Sequence, residues 1–486
     1  MDAATATSLW WLLAVLVDLA IKVIALIVIP RDRKPTAAMA WLLLIMLIPF
    51  VGLLLFLLMG SYRLPRRRRR EQARIDEVIT ERSAGVGIHD AAWPRGFQRV
   101  VQQNEALTRL PAAGGNALAL IADYQESIDA AARAIERATR FVHVEFYIVA
   151  WDETTRAFFA AMETAVARGV TVRVLADYVA SRRIPRWKET FAELDRIGVS
   201  WSWMLPVQPF RGRYQRPDLR NHRKIVVVDG VLAFTGSQNL IDRTYDSPKN
   251  QKRGLKWQEL VARVEGPAVA ALNAVFLSDW LIETGENLES EHVPAREIPA
   301  RDADLVCQVV PSGPGYETEN NLRLFLSLIH GANERVILTS PYFVPDEAMV
   351  YAITTACQRG LDVQLFVSEI GDQGLVYHAQ RSYYSALLEA GVRIFLYPAP
   401  FILHAKHFSI DDDIAVIGSS NMDIRSFSLN AEVSTMVRGA SFVTEMRAVE
   451  EEYRRLGREL TLEEWRREPR RARFLDGLAR LTSALN

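Results

Sequence analysis

Two histidine–lysine pairs, His222 with Lys224 and His404 with Lys406, supply residue types from which phosphorus chemistry can be built. Each pair opens the same pattern: His, one residue, Lys, four residues, Asp, six residues, Gly-Ser, one residue, Asn. The pattern runs as NHRKIVVVDGVLAFTGSQN from Asn221 to Asn239 and as LHAKHFSIDDDIAVIGSSN from Leu403 to Asn421, at a constant offset of 182. A lone His-x-Lys is ordinarily solvated surface or core filler, but a complete second copy is not expected by chance. The chain uses eight Lys against fifty Arg, and two of the eight hold equivalent places in the copies. That choice indicates a need for a compact ammonium rather than a planar guanidinium.

An imidazole can attack phosphorus while a neighbouring ammonium holds a non-bridging oxygen. KIVVVDGVLAF predicts a β-hairpin turning at Asp229-Gly230, with His222 and Lys224 on one face and Ile225 and Val227 toward the core. The second copy predicts the same for His404 and Lys406. Gly236 and Gly418 permit close backbone approach, and Ser237, Asn239, Ser419 and Asn421 offer hydroxyl and amide groups to the remaining phosphate oxygens. Asp229 and Asp411 complete the two His-Lys-Asp sets; standing at the turn, they are expected to brace the motif.

The duplicated His-x-Lys-x4-Asp is similar to the phospholipase D superfamily, and more narrowly the chain resembles its bacterial cardiolipin synthases. The narrower likeness rests on FVHVEFYIVAWDE, GVTVRVLADY and NHRKIVVVDG in the first half. In the second half it rests on ILTSPYFVPDE, QRSYYSALLEAGVRIFLY, LHAKHFSIDD and GSSNMDIRSFSLNAE. It spans nearly the full length. One departure stands out: IDRTYDSPKNQKRGLKWQE after the first motif has no counterpart after the second, where Glu432 follows His404 by 28 residues. Glu259 is the first-half equivalent of Glu432 under this alignment.

The resemblance implies two similar α/β/α halves facing each other around one active site, preceded by two transmembrane helices. It also implies transfer of a phosphatidyl group between two phosphatidylglycerol molecules, giving cardiolipin and glycerol through a phosphohistidine, without metal or other cofactor. In that scheme His222 attacks, His404 donates and later accepts the proton, and Lys224, Lys406, Asn239 and Asn421 stabilise the charged phosphorus. Glu259 and Glu432 orient the imidazoles. The rival readings are a membrane-anchored phosphodiester hydrolase, in which water replaces the lipid alcohol, and a membrane scaffold with a dead catalytic region.

The elements around the motifs follow from composition and periodicity. At 486 residues and 49% hydrophobic content the chain can bury more than one core, and its zero formal charge gives no globally basic surface for nucleic acid. Two cysteines, Cys307 and Cys357, suggest neither a disulfide framework nor a zinc site. Residues 9–29 and 41–59 are each long and apolar enough to cross a bilayer. Arg31, Arg33 and Lys34 lie between them, and the heavier cluster of Arg63, Arg66 to Arg70 and Arg74 follows. This bias predicts a multi-pass inner-membrane protein with the amino terminus and catalytic region cytoplasmic and the loop outside. Asp18 and Lys22, four apart on the first segment, are spaced for an ion pair.

The expected organisation is a membrane region over 1–62, a basic connector over 63–116 and a first half over 117–284. A linker over 285–304, a second half over 305–438 and an Arg-rich helical tail over 439–486 follow. The tail suits either a packing helix or a basic amphipathic helix on anionic lipid. His89, His143, His292, His330, His378 and His407 show no metal spacing and are expected to be structural or at the surface. Membrane lipids are the implied partners; the oligomeric state is open.

Overall fold

The computed structural model describes residues 3–33, 35–60, 64, 68, 72, 74, 87, 88, 90–211, 213–295, 303–316 and 318–481. The chain divides into two compact units, Met1–Leu64 and Pro65–Asn486. His89, all of the Arg66 to Arg70 block except Arg68, and most of residues 63–89 of the expected connector lie outside the described residues.

In the first unit the helix Ala3–Val28 carries the first apolar stretch, and Trp10–Arg31 is long and apolar enough to cross a membrane. Asp18 and Lys22 on it form an ion pair at 2.8 Å. The expected second span is instead two short helices, Pro35–Leu47 and Pro49–Met59. Pro49 has no N–H to continue the helical ladder, and its ring excludes the residue before it from helical geometry; Ile48 sits at φ −136°, ψ 76°. The two helices fold back on each other. Gly52 rests against Ile45, whose Cα a Cβ at Gly52 would approach to 2.8 Å, and Trp41 meets Phe56 edge to face at 5.5 Å. Arg33, before the pair, donates from Nε to the carbonyl of Gly60, after it, at 3.2 Å. The second stretch therefore returns to the level where it began. Each arm, at 1.5 Å per residue, reaches only about 20 Å against a hydrocarbon core of about 30 Å.

The second unit is built on one continuous sheet whose main strands we number in chain order. The first half supplies β1 (Ala113–Ile121), β2 (Phe141–Phe146), β3 (Thr171–Asp177), β4 (Ser200–Met204), β5 (Ile225–Val228), β6 (Leu232–Gly236) and β7 (Val261–Glu265). The second supplies β8 (Leu305–Ser312), β9 (Arg335–Thr339), β10 (Asp362–Ser368), β11 (Arg393–Tyr397), β12 (His407–Ile410), β13 (Ile414–Gly418) and β14 (Asn430–Arg438), with β15 (Arg458–Leu460) from the tail. The first half runs in the order β1-β7-β6-β5-β2-β3-β4 and the second in the matching order β8-β14-β13-β12-β9-β10-β11. β1 and β8 pair antiparallel at the centre, joining the halves, and β15 closes the far edge. Within each half the outer strands are parallel, as helical crossovers require, and the motif strands form an antiparallel hairpin. The α/β fold and its duplication thus match the expectation.

Helices cover both faces. Ile128 and Ile135 of Tyr124–Glu136 pack with Phe158, Phe159 and Met162 of Arg156–Ala167 over the first half. Leu324, Phe325 and Leu328 pack with Met349 and Ile353 over the second. The central core, shared by both halves, lies under Ala268–Thr284 and Ala440–Leu456, through Val269, Leu272 and Val275 and through Phe442, Val443 and Met446. Two expected boundaries shift accordingly. Helix Arg95–Thr108, placed in the connector, buries Phe97, Val100 and Val101 in the second-half core and fixes Asn104 to Gln308 at 3.0 Å. Ala440–Leu456, placed in the tail, is a core helix because its Phe442, Val443, Met446 and Tyr453 are all buried.

Candidate active site

Each His-Lys segment lies just before a buried hairpin strand, β5 or β12, and is stitched to the opposite half by backbone. Arg220–Asn221 pairs in parallel with Asn430–Ala431, and the His222 N–H donates to the Ala431 carbonyl at 2.8 Å. Phe401–Leu403 pairs in parallel with Lys256–Gln258, and the His404 N–H donates to the Gln258 carbonyl at 2.7 Å. This register sets the next residue, Glu432 or Glu259, beside the imidazole of the other half. His222 Nδ1 lies 3.0 Å from both carboxylate oxygens of Glu432, and His404 Nδ1 lies 2.7 Å from Glu259 Oε1. The glutamates pair crosswise. With Nδ1 held by a glutamate, each ring presents Nε2 for chemistry.

The lysines are fixed by their own motif: Lys224 Nζ donates to the His222 carbonyl and Lys406 Nζ to the His404 carbonyl, both at 2.6 Å. Lys406 Nζ also stands 3.2 Å from His404 Nε2. All four side chains are buried, and burial dominates their titration. Burial pulls His222 down to about 4, with Lys224 and Lys406 assisting and Glu432 opposing. His404 is also driven well below the usual imidazole range, first by burial and then by Lys406, Lys224 and His222. The ammonium groups fall for the same reason, Lys224 to about 7 and Lys406 to about 8. The glutamates diverge. Burial lifts Glu259 to about 7, whereas for Glu432 the lift is outweighed by His222, Lys224 and Ser419, which hold it below the ordinary carboxyl value.

The other sequence-predicted residues separate into two groups. Asn239 and Asn421 are buried beside the site. Asn239 Nδ2 donates to the Tyr245 hydroxyl at 2.9 Å, while Asn421 Oδ1 has no hydrogen-bond partner among the described residues. The serines face backwards: Ser419 Oγ donates to Glu432 at 2.5 Å and accepts from the Val433 N–H. Ser237 Oγ accepts from the Leu260 N–H at 3.0 Å. Their hydroxyls support the glutamate strands, a different place from the phosphate contact expected of them. Gly236 and Gly418 serve the same strands, since a Cβ there would lie 2.3 Å from the Leu260 carbonyl or 2.2 Å from that of Val433. Asp229 and Asp411 lie at the far end of the hairpins, away from the imidazoles. Their carboxylates accept from the N–H groups of Arg140 and Phe141, and of Glu334 and Arg335, bracing β5–β6 and β12–β13 against β2 and β9.

Sequence reasoning missed several residues here. Tyr147 meets His222 edge-on at 4.9 Å, with Lys224 Nζ 5.5 Å from its ring; Tyr342 takes the equivalent place at 6.0 Å from His404. Their signal was their common place after β2 and β9, in FYIV and PYF. Tyr245 comes from the insertion that breaks the repeat. It stands at φ 58°, a left-handed conformation costly for a bulky residue, and reaches Glu259 at 3.3 Å and the His404 ring at 6.3 Å. Arg223, between His222 and Lys224, turns the other way and ion-pairs with buried Asp279 while donating to the Glu432 carbonyl at 3.1 Å. Among the described residues, no group of three or more His, Cys, Asp or Glu is placed to hold a metal ion.

The family described as "Cardiolipin synthase, PLD-like domain" matches residues 132–280 and 325–454, the two halves just described. The chain belongs to the phospholipase D-type cardiolipin synthase family. A second family, "Phospholipase_D-nuclease N-terminal", matches residues 20–60. Among relatives, cardiolipin synthase A of Pectobacterium atrosepticum is 31% identical over 97% of both chains. Cardiolipin synthase of Geobacillus kaustophilus is 30% identical over 98% of this chain and 94% of its own. The fold is shared with the crystal structure of phosphatidylserine synthase from Haemophilus influenzae, at a TM-score of 0.61 and 14% identity over 79% of this chain and 99% of that one.

Proposed function

We propose that the protein is a phosphatidyltransferase that joins two phosphatidylglycerol molecules into cardiolipin and releases glycerol. The observation that carries this reading is the crosswise pairing, which gives one site two oriented imidazoles flanked by two ammonium groups. His222 Nε2 attacks phosphorus and the bond to the departing glycerol oxygen breaks, leaving a phosphatidyl group on His222. His404 gives that oxygen its proton. The hydroxyl of a second phosphatidylglycerol then attacks the phosphohistidine, its proton passes to His404, and His222 leaves unchanged.

The electrostatics favour this polarity. Glu432, held below the usual carboxyl range, stays ionised behind His222 and stabilises the positive charge that develops on attack. Glu259, lifted to about 7 by burial, lets the His404–Glu259 pair keep a proton near neutrality. Lys224, Lys406 and the amides of Asn239 and Asn421 would hold the phosphoryl oxygens. The test is product analysis on vesicles of pure phosphatidylglycerol. Cardiolipin and glycerol in equal amounts are expected; phosphatidic acid with no cardiolipin at any lipid concentration would replace this reading with a hydrolase.

For the membrane region we propose one span, Trp10–Arg31, followed by a hairpin that enters the bilayer and returns. The juxtaposition of Arg33 and Gly60 supports a return to one side. All the basic residues from Arg31 to Arg74 then share that side, which the charge bias makes cytoplasmic, together with the catalytic region. A Thr36→Cys chain in intact cells should resist an impermeant thiol reagent. Labelling at position 36 with none at Ser83→Cys would restore two spans.

A further inference from the structure

Two patches outside the catalytic machinery expose what soluble surfaces usually bury. In the first half, helix Tyr178–Arg182 leaves the carboxyl end of β3, and a hairpin pairing Val207–Gln208 with Arg213–Tyr214 follows β4. Together they border a cavity of about 550 Å³ lined by Tyr178, Arg182, Trp187, Trp203 and Phe210. The Arg182 guanidinium lies over the Tyr178 and Trp187 rings, at 4.7 and 4.8 Å. Phe210 in the hairpin is wholly exposed, and Arg211 and Arg213 beside it are exposed too.

In the second half, helix Gly374–Arg381 leaves the carboxyl end of β10, the counterpart of β3. The tail helix Arg470–Arg480 is pinned to it through buried Asp476, which lies 2.6 Å from His378 Nδ1 and 3.4 Å from Arg381 Nε. That fastening turns the apolar stripe of the helix outward: Phe474 is 70% exposed, Leu475 47%, Leu478 52% and Leu481 81%. A packing helix would bury this stripe. Arg470, Arg471, Arg473 and Arg480 are exposed around it.

Both patches lie at the end of the sheet that carries the chemistry. Asp177, closing β3, accepts from the Asn221 N–H next to His222, and Asp372, shortly after β10, accepts from the Tyr342 hydroxyl next to His404. We propose that the two patches are paired feet on which the catalytic region stands on an anionic lipid surface with its active site facing the bilayer. Aromatic and aliphatic side chains ringed by arginines suit the interface, where rings and methyl groups enter the acyl boundary while guanidinium heads stay with phosphates. The choice of an anionic surface rests on the phosphatidylglycerol substrate proposed above.

The test uses the full chain, reconstituted into vesicles, with a polarity-sensitive thiol dye at Phe210→Cys, at Leu478→Cys, or at Val231→Cys in the opposite turn; the unmutated chain gives the background of the two native thiols. A lipid-borne nitroxide in phosphatidylglycerol–phosphatidylcholine vesicles should quench the dye at 210 and at 478 about 3-fold more than at 231, and less once phosphatidylglycerol is omitted. Equal quenching at all three positions, or quenching indifferent to phosphatidylglycerol, would overturn the proposal. So would energy transfer between labelled copies at 210 or 478 without lipid quenching, which would assign the patches to a second copy of the chain. The readout needs no turnover: a chain that docks without making cardiolipin sinks only the reaction, and one that makes cardiolipin without docking sinks only the feet.

Discussion

The first and second halves carry the same His, Lys and Glu at matching places in the repeat, yet the surroundings are unequal. His222 faces a glutamate held by a serine hydroxyl and kept ionised. His404 faces one that burial lifts to about 7, with one carboxylate oxygen lacking a hydrogen-bond partner among the described residues and a tyrosine from the insertion against the other. Asn239 is tied to that tyrosine, while the carbonyl of Asn421 has no hydrogen-bond partner among the described residues. Under the proposed reaction, duplication supplies the parts, and a single local insertion separates their duties into attack on one side and proton handling on the other.

The most damaging way to probe this comparison is to remove an imidazole. His222→Ala, His404→Ala and the double variant should each lose at least about 10⁴-fold in turnover and be hard to tell apart, because both groups act in one transition state. Single losses that multiply in the double variant would mean that the two histidines work independently.

A finer break separates the duties. Glu432→Gln should cost about 10²–10⁴-fold on every substrate, since His222 loses its partner for attack. Glu259→Gln should cost as much on phosphatidylglycerol but far less on a phosphatidyl ester with a good leaving group, which needs no proton. Under those conditions His404→Asn should accumulate a phosphatidyl adduct on His222. An adduct on His404 in a His222→Asn chain would invert the assignment.

The pH profile should show the same division. His222 acts neutral and stays so above about 4. The Glu259 carboxyl at about 7, Lys224 at about 7 and Lys406 at about 8 act protonated, and all three lose their protons as the pH rises. Hence kcat/KM should be flat in mild acid and decline through pH 7 to 8. A profile still rising across that interval would contradict the roles of all three. The smallest effect belongs to Tyr245→Phe, which removes one hydroxyl from Glu259 and Asn239. A loss of about 3-fold is expected, confined to phosphatidylglycerol if the insertion serves the proton-handling side and equal for an activated ester if it does not.

Much of this was legible in the chain because repetition is a signal that survives without structure. The constant spacing disclosed the two halves, the paired His and Lys, and the turn positions of Asp229 and Asp411, although His222–Lys224 and His404–Lys406 precede the hairpin strands on which the pattern placed them. Four matters are not carried by that spacing. Glu432 was visible as a candidate, but its service to His222 rather than His404 follows from Asn221 pairing with Ala431. The serines looked like phosphate ligands because only tertiary packing turns them toward the glutamate strands. The apolar run 41–59 has the length of a span, and what divides it is one proline whose effect is easily masked by the hydrophobicity on both sides. The membership of Arg95–Thr108 in the distant second-half core rests on a contact between Asn104 and Gln308 that no local pattern announces.

The crosswise glutamates also bear on the order in which the protein is made. His222 leaves the ribosome 210 residues ahead of Glu432, the group that aims it. Throughout that interval the imidazole of His222 is without the carboxylate that lies beside it in the folded chain. Under the proposed mechanism, reactivity is thereby deferred until nearly all of the polypeptide exists, and a prematurely terminated product carrying only the first motif should be inactive.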